Sequence, residues 1–246
     1  MATYREQGIV LRTTKLGETD RILTLLTQGR GKVRAVAKGV RRPGSKFGGR
    51  LEPYSHVDMQ LYEGRNLDVI QQAELIAPHA NVRVDFGLSA AASVLAELVD
   101  HVASEQERDN RLFLLLRSGL QALDARPPHP DVFVDAFLLR VAGASGFHVF
   151  TQRCAACRAE GPHVFLSVVH GGVLCADCAP AGTKAVSQDV IALVHLLASD
   201  QWSDLAHVDD GEARQVAGSF ARAFAEHHLD RRLTSYAFVP RGDVLA

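Results

Sequence analysis

Residues 29–50 read GRGKVRAVAKGVRRPGSKFGGR, and the eight charges in that stretch, Arg30, Lys32, Arg34, Lys38, Arg41, Arg42, Lys46 and Arg50, are all positive. Its first half sets Lys32, Arg34 and Lys38 against Val33, Ala35, Val36 and Ala37, the pattern of a half-buried strand with a cationic outer face. The Gly- and Pro-rich second half cannot be helix and reads as a mobile basic loop. Solvated faces normally interleave both signs. A cationic strand feeding a cationic loop instead suits a phosphate backbone, because each neutralised phosphate releases condensed counterions.

The pattern on either side of this stretch is that of a small barrel. Strands are expected at residues 8–12 (GIVLR), 21–27 (RILTLLT), 32–38, 54–62 (YSHVDMQLY) and 67–73 (LDVIQQA), with turns between them. Five short strands with basic connections suggest an oligonucleotide-binding (OB) fold. After Pro78 the period changes to that of helices. They are expected at residues 85–107, 110–123 and 131–142, from a Ser187 cap to Leu197, and over 211–233. Phe113, Phe133 and Phe137 face inward by spacing. The fold class is α+β: an OB domain (residues 1–80), a helical domain in two parts (81–150 and 184–246), and a cysteine-bearing insertion (151–183) between them.

The chain has 246 residues, 47% hydrophobic and 22% charged, ordinary globular composition with enough length for a sizeable core. Its net charge of -1 hides an asymmetry. Up to Ala80 there are thirteen Lys and Arg against eight Asp and Glu, so one end is basic and the other acidic. The opening MATYREQGIVLR carries charges where a signal peptide needs an apolar run, and no segment approaches a membrane span. A cytoplasmic location is expected.

The four cysteines, Cys154, Cys157, Cys175 and Cys178, form two C-x2-C pairs separated by 17 residues, the spacing of a zinc knuckle. Four thiolates fill a tetrahedron, so the expected ion is one structural zinc with no open position for catalysis. Arg158 and Ala179 follow the knuckles where zinc ribbons often place glycine, and His163 and His170 read as surface residues.

Other motifs carry less. Residues 39–46 (GVRRPGSK) have a P-loop's two glycines but Gly-Ser-Lys in place of Gly-Lys-Ser, with Pro43 removing an amide. Glu18, Asp20 and Arg21 read as a charged turn, and residues 226–228 (EHH) lack the H-E-x-x-H spacing and read as the polar side of the last helix. Nothing commits the chain to catalysis. Phe47, flanked by Lys46 and Gly48, is the best candidate for an exposed ring on which a base stacks. For Tyr54 and Tyr62 alike, barrel core and binding face are equal alternatives.

The order of LGETDRILTLLT (residues 16–27), VRAVAKGVRR (33–42) and SKFGGRLEPYSHVDMQLYEGRNL (45–67), then helices, a four-cysteine knuckle and the closing HLDRRLTSYAFV (228–239), resembles the bacterial recombination mediator family RecO. The resemblance implies a DNA repair protein without enzymatic turnover. Such proteins bind single- and double-stranded DNA, anneal complementary strands without ATP, and work with RecR and single-stranded-DNA-binding protein (SSB) to help load RecA on gapped DNA. The family's basic barrel face maps by analogy onto the eight cations of residues 29–50. An RNA- or ribosome-associated module is the alternative, since neither barrel nor zinc distinguishes the two nucleic acids.

Overall fold

Alternating apolar residues build five strands: β1 (Thr3–Leu16), β2 (Asp20–Thr27), β3 (Gly31–Ala37), β4 (His56–Tyr62) and β5 (Asp68–Ala77). They close a barrel in the order β1-β2-β3-β5-β4, with β4 returning to β1. The β3–β5 contact is parallel and the others antiparallel. The barrel is of the OB type that the pattern predicts. The computed structural model describes residues 2–209 and 211–241, so positions 242–246 of the expected second helical part lie outside the described residues. Contacts divide the chain into two compact units, Met1–Arg126 and Pro127–Ala246.

In the first unit, the barrel interior is filled by Val10, Leu23, Leu25, Ala35, Ala37, Val57, Met59, Leu61 and Ile70. Three more buried residues of this cluster, Val40, Phe47 and Leu51, come from the connection between β3 and β4. This corrects two expectations. Phe47 is 1% exposed and its ring cannot stack on a base. The connection is a chain of turns, closed by Arg42 N–H to Gly39 O, Ser45 N–H to Arg42 O, Gly48 N–H to Ser45 O and Arg50 N–H to Phe47 O. It is pinned by its apolar side chains and not a free loop.

Helices α1 (Ala80–Val84), α2 (Phe86–Val102) and α3 (Asn110–Asp124) belong to this same unit. Asp85 and Asp109 cap α2 and α3 by accepting the N–H of Leu88 and Leu112 at 3.0 and 2.8 Å. Helix α2 lies against β1 and β2, which explains why Ile9, Leu11 and Leu26 are buried as well as the inward-facing set. After α2 the chain runs beside β3: Lys32 N–H donates to Ser104 O, and Gln106 N–H to Lys32 O. Gly31 permits the approach, since it has φ 64° and a Cβ there would lie 1.9 Å from Glu107 O.

The second unit is built on α4 (Pro130–Ala144), which is buried on nearly every side, as a helix packed all round must be. The short hairpin β6 (Phe165–Ser167) and β7 (Gly172–Leu174) carries the cysteine segment, and α5 (Gln188–Ala198) and α6 (Glu212–His228) pack on α4. The buried charged side chains of α4 each have a partner, although Arg140 Nη1 makes no hydrogen bond among the described residues. Asp131 meets Arg214 at 3.2 Å, Tyr236 donates to Asp135 at 2.7 Å, and Arg140 donates to the carbonyls of Leu197 and Gln201 with its guanidinium over Trp202. The last helix stops at His228, short of the expected Leu233. Asp230 turns the chain at φ 49°, and Leu233 is buried beyond that turn with its N–H donated to the Glu226 carboxylate. No helix among the described residues is long and apolar enough to cross a membrane.

Phe47→Ala should lower stability by about 3–5 kcal/mol, the cost of emptying a filled core position. Urea unfolding monitored on the intact chain reads this directly, and a loss below about 1 kcal/mol would mean that the ring is not in the barrel. A second expectation concerns acid. Burial, with the charges of Arg117 and His79 nearby, holds the His56 imidazole down at about 4 against an ordinary 6.5. The folded state keeps His56 neutral while the unfolded chain takes up a proton below 6.5, so stability is present above that pH and declines as pH falls towards 4. The full effect is about 3 kcal/mol, and His56→Gln should flatten that part of the stability–pH curve.

Candidate nucleic-acid interface and metal centre

The eight cations of residues 29–50 differ in what holds them. Arg30 and Lys32 are tied to carboxylates. Arg30 lies 3.7 Å from Glu63 with its guanidinium 3.9 Å over the Tyr4 ring, and Lys32 Nζ sits 3.4 Å from the Asp100 carboxylate while donating to the Asp100 carbonyl at 2.6 Å. Asp100 also accepts from Arg12 at 2.7 Å, so one acid on α2 clamps both β1 and β3.

The other six make no salt bridge among the described residues. Arg41 donates to the carbonyls of Gly17 and Glu18, Lys46 to that of Gln71, and Arg50 to those of Lys46 and Phe47. A carbonyl fixes the direction of a side chain without neutralising it. Arg34, Lys38 and Arg42 are exposed and make no salt bridge among the described residues.

The charged turn after β1 is a stitch for this loop. Asp20 accepts the Gly39 N–H and the Thr19 hydroxyl, each at 2.8 Å, and Arg41 N–H donates to Thr19 O. The Gly39 N–H, then the Thr19 hydroxyl, and beyond them Arg42 and Lys38, hold the Asp20 carboxyl below the usual carboxylate range. Arg21 binds Glu52 at 3.0 Å. The stretch resembling a P-loop is thus part of this turn chain. Tyr54 is half-buried with its hydroxyl 2.8 Å from Ser93 Oγ, and Tyr62 is exposed at the end of β4.

Sequence reasoning missed a groove of about 310 Å³ beside β3. Arg30, Lys32 and Arg34 line it together with Tyr4, the β4–β5 turn (Glu63, Gly64, Arg65, Asn66), Asp68, and Glu105 and Gln106 from the connection after α2. The EGRN turn signal marks one wall. Nothing local marks the other, because residues 105 and 106 arrive from far along the chain.

In the second unit the sulfurs of Cys154, Cys157, Cys175 and Cys178 all lie within 4.8 Å of one another. A four-coordinate ion bound at about 2.3 Å needs sulfurs about 3.8 Å apart, and Cys157 Sγ and Cys175 Sγ are 3.7 Å apart. The donor set and the spacing both fit a metal ion. Each knuckle is closed by its own backbone, with Arg158 N–H to Cys154 O at 2.9 Å and Ala179 N–H to Cys175 O at 3.0 Å. Arg158 takes the left-handed conformation (φ 68°) that glycine adopts most easily, and its guanidinium lies 4.1 Å over Phe150. Burial opposes the Cys154 thiolate, but the N–H groups of Cys157, Cys175 and Ala156 outweigh it and bring the thiol down to about 6. The shift runs the other way at Cys178, whose hydrogen bonds with Cys175 and Cys157 push its thiol up to about 12, so the four sulfurs share their protons as one group. Gly172 lets the hairpin meet the chain at Phe150, just before the first knuckle, since a Cβ there would lie 2.1 Å from Phe150 O. His163 Nε2 lies 2.9 Å from Ala159 O and His170 Nδ1 lies 2.9 Å from Ser167 Oγ, both outside the four-sulfur group.

Comparison with known proteins agrees with this arrangement at both ends of the chain. Residues 1–79 match the family model described as "Recombination protein O N terminal", and residues 83–237 match "Recombination protein O C terminal". Among curated relatives, the DNA repair protein RecO of Frankia casuarinae is 44% identical over 245 residues, covering 98% of this chain and 100% of that protein. The protein of the same name from a Nocardioides strain is 44% identical over 245 residues, 97% of this chain and 99% of its own. That of Cutibacterium acnes is 40% identical over 247 residues, with 98% and 100% coverage. Since the two family models together span the barrel, the helices and the cysteine segment, the chain belongs to the RecO family of DNA repair proteins.

Proposed function

We propose that this protein is a DNA-binding recombination mediator that anneals complementary strands without ATP and, with RecR and SSB, helps load RecA on gapped DNA. The observation that carries the reading is the set of six cations without a salt bridge among the described residues, Arg34, Lys38, Arg41, Arg42, Lys46 and Arg50, on one strand and its following turns. Asp20 is the acid whose carboxyl feels Arg42 and Lys38. Arg41, Lys46 and Arg50 are aimed by neutral carbonyls, so their charge remains available to phosphate. Two DNA strands repel each other, and annealing needs a surface that screens both. It needs no nucleotide pocket, which agrees with the failed P-loop pattern.

Arg30 and Lys32 belong to the basic stretch but are each tied to a carboxylate, Arg30 to Glu63 and Lys32 to the Asp100 that it shares with Arg12. Phe47 anchors the loop from inside and contributes by holding its neighbours in place. The four cysteines are proposed to hold one structural Zn2+, the ion whose bond length and preference for a closed set of sulfurs match this group. Its chemistry there is to join two knuckles of a segment with little core of its own. With sulfur in all four positions, a bound ion has no place for a reacting water.

With about six phosphate contacts, affinity for single-stranded DNA should fall roughly 10²- to 10³-fold between 50 and 200 mM salt. Replacing Lys38, Arg41 and Arg42 together by Glu should abolish annealing of complementary oligonucleotides and lower the salt slope by about two to three. Unchanged binding and annealing in that variant would sink the assignment of this surface. For the metal, the purified protein should contain one zinc per chain with a sulfur-only shell by X-ray absorption. Chelation or Cys154→Ser should unfold the cysteine segment, seen as new protease cleavage within residues 151–183. A nitrogen or oxygen ligand in the absorption spectrum would refute the four-sulfur site.

A further inference from the structure

We infer that the groove beside β3 receives one unstacked base of a bound single strand, with Arg30 as its stacking platform. The inference rests on the DNA-binding reading and adds a base site to a surface so far described only by charge. The groove's charge is nearly balanced, with Arg30, Lys32, Arg34 and Arg65 set against Glu63, Asp68 and Glu105. Its two inner cations are already engaged by carboxylates. Such a site has little to offer a phosphate.

It has the parts that a base requires. A flat guanidinium is itself a stacking surface for bases. That of Arg30 is held 3.9 Å over the Tyr4 ring and steadied by Glu63 at 3.7 Å, so it is ordered before any ligand arrives. Tyr4 in turn is fixed by its hydroxyl, which donates to Asp68, and Asp68 also accepts the Gly64 N–H at 3.0 Å. A base laid on Arg30 completes a ring–guanidinium–base stack. The volume of about 310 Å³ lies at the lower end of the range of small-ligand sites, which suits a single base and not a duplex. Asn66 and Gln106, whose amides both donate and accept, stand in the walls where a base edge would lie. Arg34, on the outer face of β3 with no salt bridge among the described residues, joins the groove to the basic surface that tracks the backbone.

The test separates base from phosphate. Arg30→Lys keeps the charge opposite Glu63 and removes the plane. It should weaken binding of an ordinary single-stranded oligonucleotide roughly ten-fold, by the same factor at 50 and 200 mM salt. It should leave unchanged the binding of an oligonucleotide of the same length built wholly of abasic residues. Gln106→Gly, at a position whose φ of 59° glycine accepts without strain, should behave alike and guards against a folding defect in the first variant. Equal weakening on both oligonucleotides would show that Arg30 acts on phosphate, and no weakening on the ordinary one would show that no base enters. Either result overturns the base site while leaving the DNA-binding surface standing. Failure of the unaltered protein to bind either oligonucleotide overturns both.

Discussion

The core of this closed five-stranded barrel is not built from strands alone, because the connection between β3 and β4 contributes three of its side chains. Val40, Phe47 and Leu51 enter the core from a segment whose other residues are mostly Gly, Ser, Pro, Lys and Arg. Burial of those three side chains is worth roughly 1.5–3 kcal/mol each, and it fixes everything between them. Arg41 and Arg42 follow Val40 directly, Lys46 precedes Phe47, and Arg50 precedes Leu51. The cations are therefore displayed at set intervals by apolar anchors. A loop of the same charge without anchors would pay its ordering entropy on meeting a ligand.

The second constraint concerns which acceptor each cation meets. An ion pair with a carboxylate positions a side chain and removes its field, whereas a hydrogen bond to a carbonyl positions it and leaves the field. Both kinds occur within residues 29–50. Lys32 and Arg30 join parts of the fold, the first tying α2 to the barrel and the second closing over Tyr4. Arg41, Lys46 and Arg50 use carbonyls. The division explains how a chain of net charge -1 can keep a strongly positive region. It also explains why the count of Lys and Arg in a stretch overstates the charge that reaches a ligand.

Strands and helices were legible where their signal is local. Leu23, Leu25, Ala35, Val57, Met59 and Leu61 alternate as a barrel interior must. Ser187 marks a helix start by its cap, and the cysteine spacing holds because each ligand pair lies within one turn. What was not legible depends on distant partners. The first strand starts at Thr3, because its polar residues gain their order by pairing with β4, which leaves no apolar pattern. Phe47 sits among glycines and cations and reads as exposed, because its partners in the barrel core come from strands on both sides of it in the sequence. Asp131, Asp135 and Arg140 give α4 the look of a helix with a wet side, and their partners stand about 57 to 101 residues further on. The wall of the groove formed by Glu105 and Gln106 is hidden for the same reason.

The two units solve the problem of holding irregular chain in different ways. In the first, the basic connection is held by inserting apolar side chains into an existing barrel. In the second, residues 151–183 own only a three-residue hairpin pair and a buried Cys154, too little apolar surface to order thirty residues against their conformational entropy. Four thiols brought within 4.8 Å cannot by themselves supply the difference. Metal–thiolate bonds can, since binding to such a site is worth about 10–16 kcal/mol in zinc-finger peptides. The left-handed Arg158 fits this account: a backbone conformation unfavourable to any residue with a Cβ is held where its N–H closes the first knuckle on Cys154 O. On that argument the sulfur cluster is to its segment what Phe47 is to the basic connection, the interior contact from which the exposed residues take their positions.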